Sequence, residues 1–348
     1  MTHAVDLTVS EKRQLTPSSV ELTFAVPEEL HKSFAFKPGQ YLTLSQEIDG
    51  DKVRRSYSLC SAPHQNTWKV GIKKVDKGLF STWAHDILNP GASIKVFAPE
   101  GKFTINPGPD DDQNYLAFAA GSGITPIMSM IQAVMAQAPR ATFTLVYGNQ
   151  SPEHTMFLKE LEALEQLHPD RFKMILFYSR SSVPGTRFGR IESSSIKHLF
   201  LNELSGRLFN QFLLCGPEQM IQTLKEILPE QGAKAENIHD ELFFSATEQA
   251  AEIKQGQCAL TIVLDGETTV LTVDKNTPVL DAALDHDLDP PYSCQGGICS
   301  SCIARVTHGQ AQMIKNQILT DAEVAEGLVL TCQTLALSDE LTVDYDEA

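Results

Sequence analysis

Pro291-Tyr-Ser-Cys-Gln-Gly-Gly-Ile-Cys-Ser-Ser-Cys302 sets three cysteines at a C-x4-C-x2-C spacing, and Leu328-Val-Leu-Thr-Cys-Gln333 adds Cys332 thirty positions later. That spacing suits a [2Fe–2S] cluster. Thiolates are soft, negatively charged donors that bind ferric iron and delocalise an added electron. One tight loop can wrap three such ligands. Gln295-Gly-Gly297 and Ser300-Ser301 are small enough for backbone N–H groups to approach the sulfurs and tune the potential. Two rival readings are a zinc site and cysteines placed by chance. A zinc ribbon wants two C-x2-C pairs, and only Cys299/Cys302 has that spacing. Cys294, Cys299, Cys302 and Cys332 are therefore the candidate metal ligands. Cys60 and Cys258 read as plain buried residues.

Working outward, Ala259-Leu-Thr-Ile-Val-Leu264, Asp265-Gly266 and Thr268-Thr-Val-Leu-Thr-Val273 predict a strand, a hairpin turn and a second strand. A helix is expected from Pro278 to His286. The segment 257–348 holds fifteen carboxylates against Lys275, Arg305 and Lys315, a net of −12 out of the chain's −16. Solubility is the plain reading of that charge, yet the asymmetry marks a separate unit. Residues 245–256 are small and polar and read as a linker.

The first segment, 1–107, has short β-rich runs: Val20-Glu-Leu-Thr-Phe-Ala-Val26, Tyr41-Leu-Thr-Leu44 and Trp68-Lys-Val-Gly-Ile-Lys-Lys-Val75. Turn signals such as Lys37-Pro-Gly39, Asp49-Gly50 and Asn89-Pro-Gly91 separate them, which predicts an antiparallel barrel or sandwich. The second segment, 112–240, alternates strands with helices. Strand runs are Tyr115-Leu-Ala-Phe-Ala-Ala120, Thr142-Phe-Thr-Leu-Val-Tyr147, Phe172-Lys-Met-Ile-Leu-Phe-Tyr178 and Gln211-Phe-Leu-Leu-Cys215. Apolar helical stretches reach Gln137, cover 157–164 and run from Pro217 to Leu228. That pattern is a parallel, doubly wound α/β sheet.

Three further elements can carry chemistry. In Arg55-Ser-Tyr-Ser58 the Arg can neutralise a pyrophosphate, the ring can stack on a flavin and Ser58 can hydrogen-bond it. The plain alternative is a surface strand with one buried Tyr. Gly78-Leu-Phe-Ser-Thr82 can present N–H and hydroxyl donors to a phosphate, or be a helix capped by Ser81. Gly121-Ser-Gly-Ile-Thr-Pro126 follows a strand and opens a helix, so its glycines permit a phosphate to approach the helix N-terminus. Pro126 stands where a G-x-G-x-x-G turn has its third glycine. Cys215-Gly-Pro217 is a second strand-to-helix turn, or simply a tight turn with a buried Cys. After Tyr178, Ser179-Arg180, with Arg187 and Arg190 downstream, stand where an NAD-selective site places a carboxylate. Arginine suits a 2′-phosphate, so NADPH is the expected donor, with NADH possible. A solvated loop is the alternative.

The cysteine run resembles plant-type ferredoxins over about 90 residues, which implies a β-grasp domain. Residues 5–244 resemble the ferredoxin–NADP reductase superfamily. That resemblance implies FAD held by Arg55, Tyr57 and Ser58, with Ile72, Lys73 and Val75 near its ribityl or phosphate part and Gly78, Ser81 and Thr82 on the pyrophosphate. It implies a nicotinamide cofactor at Gly121, Gly123, Thr125, Pro126, Cys215, Gly216 and Pro217, with Ser179, Arg180 and Arg190 at its ribose phosphate. Glu241-Leu-Phe243 resembles the superfamily's closing strand, whose acid and ring approach the flavin, although Phe243 or Phe244 reads equally as a core residue. Ser58, Cys215 and Glu241 are the candidate catalytic residues. Domain order and Phe177-Tyr-Ser-Arg180 are similar to reductases of multicomponent oxygenases, the phenylacetyl-CoA epoxidase reductase among them. This implies electron transfer from NAD(P)H through FAD to the cluster and on to an oxygenase component. A reductase for a hybrid-cluster or other redox partner, or a redox-sensing binding module, are the alternatives.

The bulk composition agrees. The chain has 348 residues with 42% apolar and 21% charged, which is ordinary for two or three globular domains. Its acidity argues against nucleic acid. The absence of an 18-residue apolar run argues against a membrane span. Seven cysteines and no secretory signal suggest the cytoplasm.

Overall fold

The computed structural model describes residues 4–243 and 256–348. Six antiparallel strands build the first sheet: β1 (Val5–Thr16), β2 (Ser19–Ala25), β3 (Tyr41–Ile48), β4 (Asp51–Ser58), β5 (Trp68–Lys73) and, after the helix α1 (Leu79–Asp86), β6 (Ser93–Val96). Their order is β4-β3-β6-β1-β2-β5, and a bridge between Leu59 and Val70 closes the ring into a barrel. Alternation fills the inside: Val20, Leu22, Leu42, Leu44, Val70 and Ile72 are fully buried in one apolar cluster. Helix α1 caps one end through Phe80 and Ala84.

The second sheet follows as β7 (Asn114–Ala120), α2 (Ile124–Gln137), β8 (Thr142–Asn149), α3 (Leu158–Leu167), β9 (Phe172–Tyr178), β10 (Arg187–Phe188), α4 (Ser193–Leu201), β11 (Gln211–Gly216), α5 (Glu218–Glu230) and β12 (Ile238–Leu242). All its pairs are parallel, in the order β10-β9-β8-β7-β11-β12. The chain starts in the middle, winds outward through β8 and β9, then crosses back to β11. The winding direction therefore reverses between β7 and β11, where an open α/β sheet makes its ligand crevice. Helix α2 is apolar on nearly every face and correspondingly buried. Pro126 sits in its first turn, where a missing N–H costs no helical bond.

The chain divides into two compact units, one running to Phe243 and the other following it. Barrel and parallel sheet belong to the first. Ser129 Oγ of α2 donates to the Ser61 carbonyl at 2.6 Å, and Gln132 Nε2 donates to the Cys60 carbonyl at 2.9 Å. Cys60, Phe103 and Ile105 continue into the α/β core. Gly71 leaves room for this contact, since a Cβ there would meet Thr125 Cγ2 at 2.7 Å. The linker expected over 245–256 lies, apart from Gly256, outside the described residues, as does Phe244.

The second unit holds β13 (Gln257–Leu264), β14 (Glu267–Asp274), α6 (Val279–Leu284), β15 (Ile303–Met313), α7 (Asp321–Ala325), β16 (Leu328–Leu330) and β17 (Thr334–Asp344). The order β14-β13-β17-β15-β16, with β13 and β17 parallel and the rest antiparallel, is the β-grasp arrangement. Helix α6 packs on one face through Val279, Ala282 and Ala283. Among the described residues no helix is long and apolar enough to cross a membrane.

Candidate functional site

The barrel strand β4 offers two faces. Arg55 and Tyr57 share one, as residues two apart on a strand must. Tyr57 packs on Phe80 of α1, ring centroids 5.6 Å apart. Burial pushes the Tyr57 phenol up, against the pull of Arg55. Ser58 lies on the other face, where its hydroxyl donates to Glu241 Oε2 at 3.4 Å. Glu241 is 183 positions away in sequence and belongs to β12, in register opposite Cys215 of β11. The three candidate catalytic side chains therefore converge from three separate segments.

Their protonation follows from burial. The Glu241 carboxyl is pushed up to about 8 by desolvation, only partly offset by the Ser58 hydroxyl. It is mostly neutral at pH 7. Cys215 is fully buried, and burial, then Glu241 and Asp240, hold it as a thiol.

The two strand-to-helix turns flank the crevice. Gly123 packs so closely on β11 that a Cβ would lie 2.2 Å from the Cys215 carbonyl oxygen. Only glycine brings the two turns that near. Thr125 is committed within its own turn, donating to the Ser122 carbonyl at 3.0 Å. Tyr147 of β8 braces the turn from below: its hydroxyl donates to the Gly121 carbonyl at 3.1 Å. Lys73 reaches over from β5, its Nζ 3.2 Å from where a Gly121 Cβ would stand. Burial lowers the Lys73 ammonium pKa. A half-buried cation between the barrel and the Gly121 turn suits an anionic ligand.

Other expected residues are placed less simply. Ile72 is fully buried inside the barrel, so only its backbone faces outward. Val75 is exposed. Ser81 is buried and shapes the loop, accepting from Val75 N at 3.2 Å and donating to the Gly78 carbonyl at 3.2 Å. The first-turn N–H groups of α1, which have no intrahelical acceptor, are then what this turn can offer an anion. The far end of α1 is held by Lys12, whose Nζ donates to the His85 and Leu88 carbonyls at 2.8 and 2.7 Å. Ser179 Oγ donates to the Asn149 carbonyl at 3.4 Å. Arg180 and Arg190 are exposed, whereas Arg187 is paired with Glu203 at 2.6 Å. Gly216 and Pro217 open α5, and Phe243 packs on the α/β core.

In the second unit, the loop between α6 and β15 carries Cys294, Cys299 and Cys302, and a short turn after β16 carries Cys332. Cys302 Sγ and Cys332 Sγ are 3.4 Å apart, and Gly296 N–H donates to Cys294 Sγ at 3.4 Å. Hydrogen bonds from the Cys299 and Cys332 thiols, and from the Gly296 and Ile298 N–H groups, draw Cys294 toward thiolate. Gly297 has φ +70°, and a Cβ there would meet the Lys315 carbonyl oxygen at 2.8 Å. Gln333 Nε2 ties the Cys332 turn back to the Gln295 carbonyl at 3.0 Å. The four thiols are thus brought together, Cys294 with Cys299 and Cys332, and Cys302 with Cys332, and an all-cysteine donor set on this C-x4-C-x2-C loop fits a [2Fe–2S] cluster.

Hydride chemistry in one unit and one-electron chemistry in the other define an NAD(P)H-dependent flavin and iron–sulfur oxidoreductase. The comparisons with known proteins agree. Family models match residues 6–105 (oxidoreductase FAD-binding domain), 118–226 (oxidoreductase NAD-binding domain) and 262–337 (2Fe-2S iron-sulfur cluster binding domain). A component of 1,2-phenylacetyl-CoA epoxidase from Escherichia coli K12 is 33% identical, covering 99% of both chains. The ferredoxin reductase component of 3-ketosteroid-9-alpha-monooxygenase from Rhodococcus rhodochrous is 31% identical over 98% of this chain and 97% of that one. Phthalate dioxygenase reductase shares the fold, with a TM-score of 0.63 at 21% identity and 98% coverage of each chain. The chain belongs to the family of flavin- and [2Fe–2S]-dependent oxygenase reductase components.

Proposed function

We propose that this chain takes a hydride from NADPH in the crevice between Gly121 and Cys215 and delivers single electrons to an oxygenase component. The observation that carries the reading is the meeting of Ser58, Cys215 and Glu241 beside the glycine turn. FAD accepts a two-electron hydride and releases electrons singly, and a [2Fe–2S] cluster stores one at a time.

In this reading Arg55, Tyr57 and the first turn of α1 hold FAD, with Gly78, Ser81 and Thr82 shaping its pyrophosphate site. Ile72, Lys73 and Val75 line its ribityl and phosphate side. Gly121, Gly123, Thr125, Pro126, Gly216 and Pro217 cradle the nicotinamide cofactor, and Phe243 closes the site. Cys215 is a neutral, compact thiol against the nicotinamide. Glu241 is a neutral carboxyl at pH 7, so it accepts from Ser58 without setting a negative charge where a hydride must arrive. Cys294, Cys299, Cys302 and Cys332 ligate the cluster.

Domain boundaries follow as 1–107 for FAD, 112–240 for the nicotinamide, 245–256 for the linker and 257–348 for the ferredoxin. The three family matches fall within these spans. Arg180 and Arg190, exposed after β9, support NADPH as donor. Seven free cysteines support a cytoplasmic setting. The Escherichia coli relative is by name part of an epoxidase, which supports an oxygenase as acceptor. The deciding experiment is reconstitution with a candidate oxygenase and a comparison of kcat/KM for NADPH and NADH. NADPH-driven product formation supports the reading. An NADH preference would overturn the donor assignment, and no product with any oxygenase would overturn the acceptor.

A further inference from the structure

Tyr147 lies near the end of β8 and is fully buried. Its hydroxyl reaches under the single turn Gly121–Gly123 that joins β7 to α2, donating to the Gly121 carbonyl at 3.1 Å. The Met156 carbonyl is a second acceptor at 3.4 Å. The Asn149 side chain, two residues on along the same face of β8, meets the same phenol oxygen. Burial, the largest influence, raises the phenol pKa, so the group keeps its proton and can donate.

That contact fixes more than one oxygen. Among the described residues no peptide bond is cis, and in a trans peptide the C=O and the following N–H point in opposite directions. With the Gly121 oxygen drawn down onto Tyr147, the Ser122 N–H must point away from β8; Ser122 is partly exposed. This peptide plane needs a hold from outside its turn. Gly121 sits at φ +55°, and with no Cβ its torsions are the least restricted of any residue. The Ile124 N–H also donates to the Gly121 carbonyl, but it belongs to the same turn and moves with it. Tyr147 ties the plane to the sheet. Free N–H groups at the start of a helix are where a phosphate is received.

We propose that Tyr147 is a positioning residue for the nicotinamide cofactor: by holding the Gly121 carbonyl, it aims the Ser122 N–H at the cofactor's pyrophosphate. The idea rests on the reading of the Gly121 turn as the nicotinamide site. Without the hydroxyl, the Gly121–Ser122 plane can turn and set a carbonyl oxygen where an N–H donor faced the anion. A charge-assisted hydrogen bond is then lost and a repulsion takes its place. The pyrophosphate takes no part in hydride transfer. Its binding is shared by ground state and transition state, so the loss appears in KM rather than kcat. NADPH and NADH both carry the pyrophosphate, so both are affected alike.

The test uses the full-length, cofactor-loaded protein and Tyr147→Phe, which keeps the ring and removes only the hydroxyl. Expected is a rise of about tenfold in KM for NADPH and NADH alike, with kcat for dye reduction within about twofold of wild type. Flavin reduction by dihydronicotinamide riboside, which carries no phosphate, should be unchanged. A hydroxyl that merely supports the fold would slow both classes of donor. That result, or an unchanged KM for the two dinucleotides, would overturn the proposal. Should the variant lose its flavin, the wild type alone decides by nuclear magnetic resonance with nitrogen-15 serine. The Ser122 amide, assigned as the peak lost in Ser122→Ala, should move downfield with NADP+ and stay in place with nicotinamide riboside. An amide that does not distinguish the two overturns the proposal. A wild type that oxidises neither NADPH nor NADH would instead overturn the reading on which it rests.

Discussion

Glu241→Gln isolates one carboxyl whose environment is unusual. Burial raises it from an ordinary 4.5 to about 8. Between those values the folded chain keeps a proton that the unfolded chain has lost. Stability must therefore fall as pH rises through that window, and the cost is absent below it. Each pH unit is worth about 1.4 kcal/mol, so the full window amounts to about 5 kcal/mol. Glu241 is only partly buried as a residue, and screening trims the figure to about 2 kcal/mol or somewhat more. Gln fills the same space, still meets Ser58 and does not titrate. The stability of the variant relative to wild type should thus grow by about 2 kcal/mol from pH 5 to pH 8. Urea unfolding of both holoproteins at several pH values measures this, with flavin fluorescence following the unit that contains Glu241. All other carboxylates cancel in the difference. A difference that stays constant across the range would show that Glu241 titrates normally and that its neutral role is wrong.

Three further outcomes are expected. Cys299→Ser should abolish the visible cluster spectrum yet leave NADPH-to-dye electron transfer at the flavin largely intact, and loss of both would contradict separate cofactor sites. Gly123→Ala drives a methyl to 2.2 Å from a backbone oxygen that has no room to retreat; it should cost about 1–3 kcal/mol of stability and raise the KM for NADPH about tenfold or more, read by thermal melts and steady-state kinetics. Asp285, Asp287 and Asp289 are exposed just before the cysteine loop, so replacing all three with Asn should slow transfer to the oxygenase at low salt and flatten its salt dependence, because the Debye length is about 8 Å at physiological ionic strength; an unchanged rate would leave these carboxylates a solubility feature.

The sequence carries whatever is local. Cys294, Cys299 and Cys302 lie within one loop, and their spacing alone announces the candidate ligand set. The turns at Gly121 and Cys215 each sit between an apolar strand and a helix, so their place in a parallel sheet is readable from periodicity. β1 is less legible, because Val5–Thr16 is largely polar with half of its residues exposed. Contacts across the chain were invisible. Lys12 holds α1 from more than seventy positions away, and Ser58 meets Glu241 only because two sheets pack together. Tyr147 looks like any strand aromatic until its hydroxyl is seen under Gly121. Ser81 marks the other side of the lesson: its type suggested a phosphate donor, while its hydroxyl is spent on the loop itself.

The central claim is that hydride taken in the first unit emerges as single electrons in the second. An anaerobic titration of the loaded protein with NADPH, followed by visible absorption and by electron paramagnetic resonance, tests it most directly. The account predicts bleaching of the flavin band together with growth of the rhombic signal of a reduced [2Fe–2S] cluster, both complete before excess NADPH accumulates. Flavin bleaching with a fully loaded cluster that stays oxidised, even in the presence of the oxygenase, would contradict it.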